Sequence, residues 1–290
     1  MVRVTVFTPS YNRASLLKGL CESLVNQTCK DFEWVVVDDG SSDNTRQVMT
    51  DLIRTADFPV YYHYKNNGGK HTAVNLGVQL AKGELFLILD SDDELPSGSI
   101  ADILEAYKEV KDNAEIGGVC GYMAHRDGKV IGHPEIKGDM SEIDLRYRYH
   151  VVGDMCEVFR TEILREYPFL EIPGERFCPE ALVWNRIAQI YKLHIFSKVI
   201  YLRDYLDGGL TDNIVRIRMN SPIASMMTYA EMTRMEIPWV QKAKAAINYY
   251  RFKGCLTEEH AQEAGCAIPF ISRCWLWTKP LGMLMHLRDA

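Results

Sequence analysis

Three short apolar runs, each stopping on a polar or acidic cluster, limit what this chain can fold into more than any other feature. Arg3 to Thr8 runs into Pro9-Ser10-Tyr11-Asn12-Arg13, Phe32 to Val37 into Asp38-Asp39-Gly40, and Leu85 to Leu89 into Asp90-Ser91-Asp92-Asp93. Between them the apolar spacing changes from the two-residue period of strands to the period of helices. Leu16, Leu17, Leu20 and Leu24 recur at helical spacing within 14–27, where Asn12 can supply the cap. Ser42 or Asp43 can open a second helix that reaches Thr55, and Val60 to Tyr64 reads as a third strand. After the polar loop from Lys65 to Lys70, a helix is expected from Thr72 to Ala81, leading through Gly83 into the run that ends at Leu89. This alternation predicts an α/β fold around a largely parallel sheet. Ligands of such sheets bind beyond the carboxyl ends of the strands, where all three clusters fall.

The second half reads differently. A helix is expected over 97–110, strands over Gly117 to Met123 and Lys129 to Ile131 around an Asp127-Gly128 turn, and a helix over 179–191. From Pro222 onward the apolar spacing is helical throughout. We therefore expect an α/β domain over 1–213 and a helical extension over 214–290, without repeats or low-complexity tracts.

Composition narrows the class of protein. With 290 residues, 47% of them hydrophobic and 25% charged, the chain can bury a large core like an ordinary soluble protein. A formal net charge of -6 and the absence of a long Lys/Arg run exclude an electrostatic footprint for duplex nucleic acid. Its eight cysteines form no C-x-x-C pair, which is the usage of reduced thiols and points to a cytoplasmic location. The apolar stretch from Met1 to Thr8 is too short for a leader or a membrane span and reads as the first strand.

Carboxylates as close as Asp90, Asp92 and Asp93 repel one another, and a divalent cation shared with phosphate oxygens relieves that repulsion. Standing alone, the tetrad would read as a polar turn before the next helix. Its recurrence at successive strand ends favours a metal-diphosphate site. The eight histidines show no metal-ligand spacing, so none is assigned to a metal.

The three clusters, in this order and spacing, resemble a family-2 glycosyltransferase of GT-A fold: Thr8-Pro9-Ser10-Tyr11-Asn12-Arg13, Val37-Asp38-Asp39-Gly40-Ser41-Ser42-Asp43 and Leu89-Asp90-Ser91-Asp92-Asp93. Asn67-Gly68-Gly69-Lys70, Ala73-Val74-Asn75-Leu76-Gly77 and Ala81-Lys82-Gly83-Glu84 resemble the family's donor-site segment. The resemblance is strong over the first third of the chain and continues more weakly to Asn213. It implies a Rossmann-like nucleotide-diphospho-sugar transferase fold, a mixed sheet flanked by helices.

Carried residue by residue, the resemblance implies that Pro9 and Tyr11 flank the nucleotide base, with UDP-sugar as the expected donor, and that Asp39 hydrogen-bonds the base or ribose. It implies that Asp90 faces the ribose or a metal-bound water, with Ser91 among the donor-binding residues. Asp92, the last Asp of a D-x-D pattern, would ligate Mn or Mg together with Asp90. Arg13 and Lys70 are candidate phosphate or donor contacts, and Asn75 satisfies backbone groups beside the site. The family inverts configuration with a carboxylate base at a helix start. The segment Phe177-Cys178-Pro179-Glu180-Ala181-Leu182-Val183-Trp184 resembles that place and makes Glu180 the candidate, although Ala181 stands where the family often has Asp. Glu175, Asp154 and Asp93 are the alternatives. Gly208-Gly209-Leu210-Thr211 resembles a loop that closes over the diphosphate.

The absence of a Gln-x-x-Arg-Trp sequence favours single addition over processive synthesis. The expected acceptor is a glycan or lipid-linked hydroxyl in surface polysaccharide assembly. Ala181 keeps a second reading open, a nucleotide-sugar-binding protein without catalysis. A nicotinamide-dependent oxidoreductase is excluded, because no G-x-G-x-x-G follows the first strand. The tract from Ile268 to Leu287 carries Trp275, Trp277, Met283, Leu284 and Met285 with Arg273, Lys279 and, just beyond, Arg288. Pro280 and Gly282 interrupt it, so it reads either as a peripheral membrane contact or as packing against the domain or a second copy.

Overall fold

The computed structural model describes residues 2–132, 135–204, 213–257, 268 and 276–289. The chain divides into two compact units, one formed by Met1–Pro168 and Ile190–Asp204, the other by Phe169–Gln189 and Tyr205–Ala290.

The first unit is built on eight strands: β1 (Val4–Ser10), β2 (Phe32–Asp38), β3 (Val60–Tyr64), β4 (Leu85–Ile88), β5 (Ile116–Ala124), β6 (Gly138–Met140), β7 (Met155–Arg160) and β8 (Lys192–Leu202). They form one sheet in the order β3-β2-β1-β4-β7-β5-β8-β6. The first four run parallel, with Val4 opposite Phe32 on one side and Leu85 on the other. β7 is antiparallel to both β4 and β5, while β5 and β8 are parallel and β6 closes the edge antiparallel to β8. Mixed topology of this kind agrees with the fold class expected from the sequence.

Both faces of the central strands are covered, which is why they read as nearly unbroken apolar runs. On one face Val4, Val6, Trp34, Val36, Leu85 and Leu87 pack against helix α1 (Leu17–Val25) and helix α4 (Ser99–Val110). Leu17, Leu20 and Leu24 are essentially inaccessible, each contributing about 2 kcal/mol of transfer free energy. On the other face Phe7 stacks on Phe86 at 5.2 Å, beneath helix α3 (Lys70–Leu80). Helices α2 (Thr45–Thr55), α5 (Glu142–Tyr147) and α6 (Thr161–Glu166) complete this unit.

Three local expectations are corrected. Asn12 does not cap α1: it sits at φ 53°, and its side chain accepts hydrogen bonds from Ser42 N at 2.8 Å and Asp43 N at 3.3 Å. The helix begins at Leu17, because the segment after Asn12 is tied to the β2–α2 loop through Ala14 N and Asp43 Oδ2. Helix α3 begins at Lys70 rather than Thr72. Lys129 to Ile131 does not form a strand but makes a single bridge, Val130 to Ala124. The reason is topological: β8 lies on one side of β5 and β7 on the other as far as Tyr122, so only Met123 and Ala124 are left for a hairpin partner.

Among its described residues the second unit is helical, as the apolar spacing predicts: α7 (Glu180–Ala188), α8 (Ile214–Met219), α9 (Pro222–Met232), α10 (Trp239–Lys253) and α11 (Thr278–Asp289). Met226, Ala230, Ala246, Tyr249 and Ile268 form its core, with Tyr229 stacked on Phe252 at 5.8 Å. Among the described residues no helix is long and apolar enough to cross a membrane. The six described cysteines are unpaired, and Cys266 and Cys274 lie outside the described residues.

One close approach holds α3 on the sheet. A Cβ added to Gly77 would lie 2.2 Å from Cε2 of Phe7, a ring already fixed by Phe86. We expect Gly77→Ala to cost about 1–3 kcal/mol through overpacking, read as a lower urea midpoint with an unchanged slope. Unchanged stability would show that α3 can lift away from Phe7 freely.

Candidate functional site

Strand order selects the site before any side chain is considered. After β1 the chain builds β2 and β3 to one side, then returns to place β4 on the other. The carboxyl ends of β1 and β4 therefore border the switch point at which such sheets bind ligands. Ser10 pairs in register with Asp38 at the end of β2, and Leu89 N donates to Phe7 O at 2.8 Å, so all three clusters emerge along one edge.

Asp39 organises the β2 side of this edge. Its side chain is 5% exposed and takes Lys65 Nζ at 2.7 Å, Gly68 N at 2.9 Å and Gly69 N at 2.7 Å. Lys65 also donates to Thr72 Oγ1 at 2.7 Å, in the first turn of α3. Asn67 reaches back to Asp39 O at 2.9 Å. The approach is close enough that a Cβ on Gly40, at φ +88°, would lie 2.8 Å from Asn67 N. Gly69, at φ +97°, then turns the chain into α3. The Asp39 carboxylate therefore holds the loop from Lys65 to Gly69 in place.

Its neighbour Asp38 serves the turn as well, accepting Ser41 N at 2.7 Å and the Tyr62 hydroxyl. Burial pushes the Tyr62 phenol up, and the bond to Asp38 adds to that. Asn12 N donates to Ser41 Oγ at 2.8 Å, and Trp34 Nε1 to Thr8 Oγ1 at 3.0 Å. The loops after β1 and β2 are thus one hydrogen-bonded body.

At the end of β4 the acidic cluster divides into an outward and an inward part. Asp90 meets Lys70 Nζ at 2.8 Å, with side chains 39% and 31% exposed, and Asp92 meets Arg13 Nη1 at 3.6 Å. Asp93 turns inward and is buried. It accepts the Tyr201 hydroxyl at 2.7 Å, while that oxygen accepts Asp90 N at 3.1 Å. Burial pushes the Asp93 carboxyl up to about 7; the Tyr201 hydrogen bond opposes the shift, and the charges of Asp90 and Asp92 reinforce it. Arg126 fixes the outer rim through Asp92 O at 2.7 Å and Glu94 at 3.1 Å.

Among the described residues no three His, Cys, Asp or Glu side chains are grouped to hold a metal ion. Asp90 and Asp92 offer two carboxylates, each balanced by a basic side chain. Hard cations take six or more oxygens, so Mg or Mn held here would draw its remaining ligands from water or a phosphate. The residues fit a jointly held cation and do not form an all-protein cage.

The other expected residues are distributed as follows. Pro9 is half-buried in β1, Tyr11 is exposed, Asn75 is half-buried in α3 and Ser91 is buried. Glu180 is the first residue of α7, in the second unit. Of its alternatives, Glu175 accepts Ile223 N at 2.6 Å and Ala224 N at 2.9 Å and so closes the N-terminus of α9. Asp154 pairs with Arg203 at 2.7 Å. Both carboxylates, like Asp93, have structural partners. Gly208 to Thr211 lies outside the described residues. Lys65 and Tyr201 were not anticipated. Lys65 opens a polar loop and could have been weighed, but nothing local marks Tyr201, 111 residues from Asp90.

The profile of Glycosyl transferase family 2 matches residues 5–167. A Campylobacter jejuni GalNAc(5)-diNAcBac-PP-undecaprenol beta-1,3-glucosyltransferase is 28% identical over 230 residues, covering 75% of this chain and 71% of that protein. The glycosyltransferase GlyG of Streptococcus pneumoniae is 31% identical over 119 residues, 41% of this chain and 40% of its own. Among solved structures, S. aureus TarS in complex with UDP-GlcNAc superposes with a TM-score of 0.61 at 19% identity, over 87% of this chain and 72% of that one. The mannosyltransferase PcManGT of Pyrobaculum calidifontis, in complex with GDP-Man and Mn2+, superposes with a TM-score of 0.58 at 19% identity, over 99% and 87%. The two structures share the GT-A fold with this chain.

The Asp39 network yields a direct expectation. Asp39→Ala removes the acceptor of a mostly buried ammonium and two amides, at a cost of about 3 kcal/mol. Amide exchange at Gly68 and Gly69 should accelerate with it. Unchanged exchange would show that the loop is held without the carboxylate.

Proposed function

The chain belongs to Glycosyl transferase family 2, and from that premise we propose that it transfers a sugar, with inversion, from a nucleotide diphosphate donor of the UDP class to a hydroxyl of a glycan or lipid-linked acceptor. The observation that carries this reading is the edge formed by β1, β2 and β4, where Lys70 and Arg13 stand beside Asp90 and Asp92. Two cationic groups there suit a diphosphate, and two carboxylates suit the cation that accompanies it.

The present pairs are half-exposed, and such pairs contribute about 0–1 kcal/mol each. Exchanging them is therefore inexpensive. On donor binding, Lys70 and Arg13 would turn to phosphate oxygens, leaving Asp90 and Asp92 to hold Mn or Mg. When bound, that ion supplies charge stabilisation to the leaving diphosphate. Tyr11, exposed beside Pro9, offers an aromatic face for the base, and Asp39 acts by holding the loop that precedes Lys70. Glu180, at the start of α7, would take the acceptor's proton. The undecaprenol-linked substrate named for the Campylobacter relative supports a lipid-linked acceptor and a role in surface glycan assembly.

Thermal stabilisation by UDP, GDP, ADP and UDP-sugars, each with Mn and with EDTA, tests the donor assignment. We expect a metal-dependent shift with UDP species that Asp92→Asn abolishes, as ligand linkage requires. No shift with any nucleotide would refute the donor site, and full activity in Asp92→Asn would refute the metal role. For the base, Glu180→Gln should lower turnover by about two to four orders of magnitude with the donor shift retained. Loss of donor binding alone would assign Glu180 a structural role. Donor binding without turnover in the wild type would favour the binding-protein reading that Ala181 keeps open.

A further inference from the structure

Helix α11 presents an apolar face that the described residues of its own unit leave exposed. Its inner side is fixed by Thr278 and Gly282, both buried, and by Asp289, which Arg251 of α10 holds. At Gly282 the two helices approach so closely that a Cβ would lie 2.4 Å from Ile247 O. At 100° per residue, these contacts point Pro280, Met283, Leu284 and Leu287 the opposite way. Met283, Leu284 and Leu287 are 50%, 63% and 73% exposed, and Leu276 and Trp277 just before the helix are 85% and 50% exposed. Isolated exposed leucines are ordinary, but a continuous face of this kind marks a contact surface.

Charge identifies the occupant. Lys279 and Arg288 lie on the two flanks of the apolar face, where long basic side chains can reach away from it toward phosphates. The one acidic residue of the helix, Asp289, is engaged by Arg251 and Arg288. Residues 214–290 hold 10 Lys and Arg against 6 Asp and Glu, a net +4 in a chain whose total is -6. We propose that the outward face of α11 docks on an anionic lipid surface, lying in the plane of the interface. The helix has 12 residues, about 18 Å of length, too short to span a bilayer core of about 30 Å.

The purpose of this contact, presenting the enzyme to a lipid-linked acceptor, rests on the transferase reading. The contact itself does not, and its test needs no donor. Co-sedimentation of the full chain should show binding to vesicles of phosphatidylglycerol mixed with phosphatidylcholine, weakened by added salt. The double variant Leu284→Gln/Leu287→Gln, at exposed positions, should lower partitioning by about tenfold or more with an unchanged melting temperature. Lys279→Gln should lower it about fivefold on anionic vesicles and leave binding to pure phosphatidylcholine unaltered. No binding to anionic vesicles, or binding that survives both variants, would overturn the proposal. So would concentration-dependent dimerisation, abolished by the leucine variant, in a chain that ignores vesicles.

Discussion

A carboxylate that is 5% exposed needs charge and hydrogen bonds from its surroundings, and Asp39 obtains both from one loop. The Lys65 ammonium neutralises it, and the amides of Gly68 and Gly69 each donate to one of its oxygens. Because these donors precede α3, satisfying Asp39 also sets where α3 starts and where Lys70 stands. The other arrangements at this edge follow. Lys70 reaches Asp90, Gly40 accepts the close approach of Asn67, and α3 descends onto Phe7 through Gly77. Neutralising one buried charge at the end of β2 thereby positions a charged side chain at the end of β4.

The site contains two classes of polar contact with different consequences. Asp39 with Lys65, and Asp93 with Tyr201, are withdrawn from water, so removing one partner leaves the other unsatisfied. Lys70 with Asp90, and Arg13 with Asp92, face solvent and contribute little to stability. The first class builds the frame, and the second is free energetically to exchange partners. A site for an anionic ligand with an accompanying cation benefits from this division. The inward carboxylate, Asp93, holds the Tyr201 hydroxyl beneath Asp90, so the outer pair rests on a fixed base.

Much of this was legible in the residues. The runs ending at Thr8, Val37 and Leu89 became β1, β2 and β4, because strand period and burial on both faces leave a local signature. Their polar ends had to meet at one edge once the strands were parallel. Lys129 to Ile131 was misread because a strand needs an open neighbour, and β7, entering between β4 and β5, had taken that side of β5 as far as Tyr122. Asn12 was misread for a related reason: a residue suited to capping a helix equally suits an αL turn that binds a neighbouring loop.

The sequence by itself determined the fold class, the three strand-end clusters and the family, since periodicity and strand-end chemistry are written in adjacent residues. Tertiary structure alone decided which partners those residues take. Asp39 turns to the Gly68–Gly69 amides, Glu175 closes the start of α9, and Tyr201 reaches Asp90 across 111 residues of chain. The outward direction of the apolar face of α11 was likewise fixed only when Gly282 met α10. Hydrogen-bond and packing partners are chosen by which segments the closed fold brings within about 3 Å, and sequence spacing does not encode that distance.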